Sequence, residues 1–140
     1  MEKIQFWEDR EKKLVHIKLL SEVADKFARK IAEDNKRNKK MNKRTQIRKF
    51  YDEVSHLNME ARELEPDDPD YDRRWNAILA LVNMLVAKAA YARGRELISG
   101  HFLAFIKDSV LDIEEKDDLK VFGYFFEAFM GFYKLRGPKT

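Results

Sequence analysis

The 140-residue chain has no cysteine. That excludes a disulfide framework, a zinc–thiolate site and a thiol nucleophile. It also suits a cytoplasmic protein, the expected compartment. The start, MEKIQFWEDREKK, is charged where a signal peptide needs an apolar run, so no targeting segment is expected. There is no Gly-rich phosphate loop and no nucleophile elbow. His16, His56 and His101 form no HExxH pattern and no i,i+4 pair. Asp67, Asp68 and Asp70 flank Pro69 without calcium-loop spacing. No enzyme class is selected, and neither a metal nor a cofactor is expected. Strand patterning and internal repeats are absent as well.

Long apolar runs are scarce too. The longest stretch of that kind, Ala77 to Ala87, contains one polar side chain. It is too short for a bilayer span of about 20 residues, so no membrane partner is expected. It is too long and too rich in Ala, Leu and Met for a strand. A helix apolar on nearly every side needs neighbours laid against it. The whole chain, 1–140, therefore reads as a single-domain, all-α bundle of about five helices around a central hydrophobic helix.

The helical period marks each element. The first helix is expected from Glu11 or Lys12 to about Asp34. Before it, residues 1–10 either fray or dock through Ile4, Phe6 and Trp7. The second starts at Asn42 or Thr45 and carries Ile47, Phe50, Tyr51, Val54, Leu57, Ala61 and Leu64 on one stripe. Glu65 to Asp72, with two prolines and four aspartates, stops one helix and starts the next. The central helix runs to about Arg93. Gly94 then stands either as a left-handed cap or at a kink. Ser99 caps a short fourth helix. The fifth, from near Asp117 to before Gly137, aligns Phe122, Phe125, Phe126, Phe129 and Tyr133, which is core spacing. Gly123 and Gly131 are expected to permit close helix contact. Glu127 is either a buried partner for a cation or the wet side of that helix.

Charge is distributed unevenly. The net charge is +3, but Lys26 to Lys49 holds eleven Lys/Arg against two acids. Glu60 to Asp72 holds seven acids and one Arg, and Asp108 to Asp118 six acids and one Lys. Residues 35–44 read NKRNKKMNKR and are expected to form a basic loop between helices that orders on an anion. Arg48 and Lys49 project from the first turns of helix two. Cations there oppose the helix dipole, which hints at an external phosphate. If helices two and three pack as antiparallel neighbours, Arg93 and Arg95 join the same basic surface. Lys36, Arg37, Lys39, Lys40, Lys43, Arg44, Arg48, Lys49, Arg93 and Arg95 are thus the candidate phosphate contacts. The plain alternative is that they are solvated charges and dipole partners. Tyr51 and Tyr91 fit either the core or base stacking.

Three segments carry a family likeness: Thr45-Gln46-Ile47-Arg48-Lys49-Phe50-Tyr51, Ala89-Ala90-Tyr91-Ala92-Arg93-Gly94-Arg95, and Tyr124-Phe125-Phe126-Glu127-Ala128-Phe129-Met130-Gly131-Phe132-Tyr133-Lys134. In that order they resemble the small subunit of the type III-A CRISPR interference complex, the Csm effector. The likeness spans roughly residues 40 to 136. It implies a small helical RNA-binding protein, stacked with copies of itself as an inner filament of an antiviral ribonucleoprotein. Its partners would be guide RNA, the target RNA paired to it, and the backbone and large subunits, which hold the catalysis. The likeness places the motif's basic residue at Arg48, with Lys49 alongside, and further basic residues at Arg93 and Arg95. The long basic loop and Met130-Gly131 depart from the family pattern.

Two other readings compete. A helix-turn-helix regulator needs a short turn, and residues 35–44 are too long and too charged for one. A helical adaptor or dimeric scaffold without nucleic-acid binding would use the acidic segments as contact faces.

Overall fold

The computed structural model describes residues 3–139. Among them lie a short hairpin, β1 (Trp7–Asp9) and β2 (Leu14–Val15), and five α-helices: α1 (Ala24–Arg37), α2 (Arg44–Arg62), α3 (Tyr71–Gly94), α4 (Gly100–Leu111) and α5 (Lys116–Arg136). The all-α architecture with a long apolar helix in the middle of the five is thus the observed one.

The core is aromatic. Phe105 on α4 lies with its ring centroid 4.9 Å from Phe129, 5.3 Å from Phe125 and Phe126, and 5.4 Å from Phe27. The stripe on α5 is buried from Phe122 to Tyr133, as core spacing implies. A capping box between Glu115 and Asp118 starts α5. That helix packs against α1 and α2, whereas α3 packs against α2 and α4. Glu127 is on the wet side of α5.

Cover over α3 is one-sided. Ile78, Val82, Leu85 and Ala89 are buried, while Leu81 and Met84 are each 51% exposed. At 24 residues α3 is long and apolar enough to cross a membrane by length and composition alone, although a packed helix passes the same test. Its sequence is apolar around most of its circumference, but two neighbouring helices cover only one face.

The N-terminal reading needs correction. The N-terminal segment docks through Ile4, Phe6 and Trp7, one of the two expected alternatives, but residues 7–15 form a hairpin in place of the expected helix from Glu11 or Lys12. Trp7 pairs with Val15 and Asp9 with Leu14, with a bulge between. Lys13 takes a left-handed φ of 55° at the turn. Strands of three and two residues, joined by the charged turn Arg10–Lys13, have no alternation to read. Tertiary contacts hold them: Ile4 and Phe6 are buried, and the Phe6 ring lies 6.2 Å from Phe122. Of the expected 1–10 segment, Met1 and Glu2 lie outside the described residues, as does Thr140. Helical structure begins instead at Leu19, with one wide π-type turn through Val23 that leads into α1.

The basic connection is shorter than the expected 35–44. Helix α1 continues through Arg37 and α2 starts at Arg44. Tertiary hydrogen bonds hold the six residues between. Asn35 Nδ2 donates to the Met41 carbonyl at 2.7 Å. Asn42 is fully buried with a left-handed φ of 60°. Its Nδ2 reaches the Ile31 carbonyl, and its own carbonyl accepts from Tyr133 Oη at 2.6 Å.

Gly94 is neither a left-handed cap nor a kink; it is the last helical residue of α3. The left-handed position falls on Glu96, at φ 61°. Ser99 does cap α4, accepting from the Phe102 amide. Gly123 fits its expected part, because a Cβ there would stand 2.5 Å from Asn58 Nδ2. Gly131 does not, since a Cβ there would meet nothing within 4 Å.

Candidate nucleic-acid interface

The α1–α2 connection, the end of α3 and the end of α5 converge. Asn42 supplies the knot: its amide N–H donates to the Leu97 carbonyl at 2.9 Å, which brings the turn after α3 against the start of α2. The Tyr133 hydroxyl brings in the last turn of α5. Burial pushes that phenol well above its usual range, with the nearby Arg44 charge opposing the shift. It therefore stays a neutral donor at ordinary pH.

Around this knot the cations fall into three groups. Lys36, Lys39, Lys40 and Lys43 share a cleft of about 670 Å³ with Arg136 and Lys139 from the C-terminal end. Arg44 and Arg48 line a second cavity of about 270 Å³ with Lys134, Tyr51 and Tyr133. Lys49 and Arg95 line a third, between α2 and α3, with Tyr91. Arg37 is exposed at the end of α1 and lines none of these cavities, and Arg93 is half-buried with Nε 3.8 Å from where a Gly100 Cβ would stand.

Most of these cations lack the carboxylate partners that several cations elsewhere have. Among the described residues, none of the sequence-selected cations from Lys36 to Lys49, nor Arg93 or Arg95, pairs with a carboxylate. Elsewhere Arg10 holds Asp118, Arg74 holds Asp68, Lys88 holds Glu53, and Arg29 and Arg136 hold Asp25. Lys36, Lys39, Lys40, Lys43, Arg48, Lys49 and Arg95 are exposed. Arg44 is half-buried. Its Nη2 donates weakly to the Lys134 carbonyl at 3.4 Å, and its Nε is buried without a partner. The first turn of α2 contains no acid and no side-chain cap, so its amide groups add positive potential beside Arg44.

Sequence reasoning missed Lys134, Arg136 and Lys139. Their signal was a basic end on the last helix, KLRGPK. Arg136 differs from the other two. Its guanidinium grips Asp25 through Nε and through Nη2 at 2.9 Å, and this holds the Asp25 carboxyl below the ordinary carboxylate range. Arg136 is therefore a strut between α5 and α1, while Lys134 and Lys139 stay exposed.

The two tyrosines separate. Tyr51 is half-buried, its ring edge-on to Phe126 at 5.5 Å. Tyr91 is 67% exposed, with the Arg95 guanidinium 5.8 Å from its ring centre. No group of three or more His, Asp or Glu side chains is placed to hold a metal among the described residues. His101 instead bonds Asp34 through Nδ1 at 2.7 Å.

Comparison with known proteins gives a family. The family model described as Csm2 Type III-A matches residues 14–139, and the chain belongs to that family. No curated protein and no solved structure matches it.

Proposed function

We propose that this Csm2-family chain is the non-catalytic small subunit of a type III-A CRISPR ribonucleoprotein in the cytoplasm, with no membrane role. It supports guide RNA and the target RNA paired to it by phosphate contacts, and stacks with copies of itself as an inner filament beside the backbone and large subunits. One observation carries the reading: the cations at the α1–α2 connection and the end of α3 pair with no carboxylate among the described residues. Cations without internal partners release counterions when they meet a polyphosphate, which favours RNA regardless of sequence. Spaced Lys and Arg suit an RNA held by its backbone. Arg44 and Arg48 provide fork-shaped donors for phosphate, and the lysines mobile point charges.

The test is binding of labelled single-stranded RNA, single-stranded DNA and RNA duplex at two salt concentrations. Wild type is compared with a variant carrying K39A, K40A, K43A, R44A and R48A, whose fold is checked by circular dichroism. Salt-sensitive, sequence-indifferent RNA binding that the folded variant loses is expected. A strong preference for one DNA sequence, or RNA binding unchanged in the variant, overturns the proposal.

A further inference from the structure

We propose that the groove between α2 and α3 is a pocket for one unpaired nucleobase of a bound RNA, an inference that rests on the RNA-binding reading above. The groove has a volume of about 450 Å³. Small organic ligands occupy cavities of about 300–1,000 Å³. The groove is lined by the buried Phe50, 7% exposed, and by the exposed Tyr91. Ala92 and Leu97 add to its apolar lining. The side-chain amide of Gln46 lines the groove and makes no hydrogen bond within the described residues. Lys49 and Arg95 stand at the rim.

The groove is already formed. Lys88 on α3 bonds Glu53 on α2 across it. The left-handed Glu96 turns the chain sharply after Arg95, and the Leu97 carbonyl is then held by the Asn42 amide. Arg95 is thereby kept beside α2, with its guanidinium near the Tyr91 ring.

This set of groups selects a nucleotide. A bare phosphate site has no use for an exposed tyrosine, a buried phenylalanine and a leucine. An apolar helix would leave the Gln46 amide and two unpaired cations facing hydrocarbon, which is costly. A base offers a flat π face to Tyr91 and a polar edge to Gln46, while its flanking phosphates meet Lys49 and Arg95. In a continuous duplex both faces of a base are covered by its neighbours, so the occupant is a base out of the stack. One amide and one ring accept any base, so sequence tolerance is expected.

The test uses the full-length chain and an RNA duplex carrying one bulged 2-aminopurine, alongside the same duplex with an abasic bulge. Wild type, Y91A and Y91F are compared at low salt. Tyr91 is largely exposed, so Y91A leaves the core untouched. The expected result is a change in 2-aminopurine emission on binding, and roughly ten-fold weaker binding of the abasic RNA. Y91A should lose both effects and still bind the abasic RNA as wild type does, while Y91F keeps both. Equal affinity for the two RNAs, or an emission change that Y91A leaves intact, overturns the pocket alone. No binding of either RNA by wild type overturns the RNA-binding reading and the pocket with it.

Discussion

Asn42 and Ser99, 57 residues apart, exchange two hydrogen bonds: Asn42 Nδ2 donates to Ser99 Oγ at 2.9 Å, and the Ser99 amide donates to Asn42 Oδ1 at 2.8 Å. The pair ties the start of α2 to the start of α4 in the interior. The same asparagine tolerates the left-handed backbone that the turn into α2 demands. Asn42→Ala should destabilise the fold by about 3–5 kcal/mol. Buried partners are left unmet at about 1–3 kcal/mol each, and alanine adds left-handed strain of about 1–2 kcal/mol. Asn42→Gly should cost about 1 kcal/mol less, because it removes that strain. Urea denaturation of both variants checks the difference, and equal losses would remove the backbone part of the argument.

Asp118 is 1% exposed and accepts from four donors. Trp7 Nε1 and Arg10 Nη1 reach Oδ1 at 2.7 Å, and the Glu114 and Glu115 amides reach Oδ2 at 2.9 Å. It therefore anchors the hairpin and starts α5 at once. Asp118→Asn puts two N–H donors where an acceptor is needed and removes the partner of Arg10. A loss of about 2–4 kcal/mol is expected. Amide exchange should show residues 7–15 losing protection first.

The two glycines of α5 should respond with opposite signs. Gly123→Ala drives a methyl against Asn58 Nδ2, which already donates to the Leu119 carbonyl at 3.0 Å. A cost of about 1–3 kcal/mol is expected. Adding Asn58→Ala should relieve the clash, so the double variant costs less than the sum of the singles. Gly131→Ala meets open space inside a helix and should stabilise by about 0.5–1 kcal/mol. Thermal melts of the four variants decide the signs.

Asp25 makes stability pH-dependent. The Arg136 hydrogen bond lowers its carboxyl below the unfolded value, against an opposing contribution from burial. Its contribution is therefore complete above the unfolded pKa of about 3.9 and is lost as pH falls through the lower folded value. Asp25→Asn should be less stable than wild type at pH 7, and the gap should close toward pH 2. A gap that holds constant in denaturant titrations from pH 2 to 7 would remove this role.

At the C-terminal end, chemistry separates cations that sequence lists together. Lys134→Ala and Lys139→Ala should each flatten the dependence of log K on log salt by up to about 0.7–0.9 without lowering stability. Arg136→Ala should lower the melting temperature, because it releases Asp25. RNA titrations at several salt concentrations, paired with melts, tell the two classes apart.

Most helices were legible because their signals are local. The Phe stripe of α5, the Pro–Asp connector before α3 and Ser99 before α4 lie within a few residues of the ends they set. The hairpin was not legible, since Phe6 is held by Phe122, far along the chain. Tyr91 was ambiguous for a related reason. Its spacing on α3 fits a core, and only the one-sided cover of that helix leaves it exposed. Within the candidate interface, Arg48, Lys49 and the lysines before them were singled out by local charge density. Lys134 and Lys139 were missed because nothing local says that α5 ends beside α1.

By itself the sequence determined five helices, an aromatic core and an excess of cations between Lys26 and Lys49, because periodicity and charge density are properties of neighbouring residues. Tertiary structure decided which charges are left over. Arg10 finds Asp118 108 residues away, and Arg136 finds Asp25 111 residues away, while the cations from Lys36 to Lys49 find no acid among the described residues. Whether a cation is neutralised depends on the acid that folding brings to it, and that acid can lie anywhere in the chain.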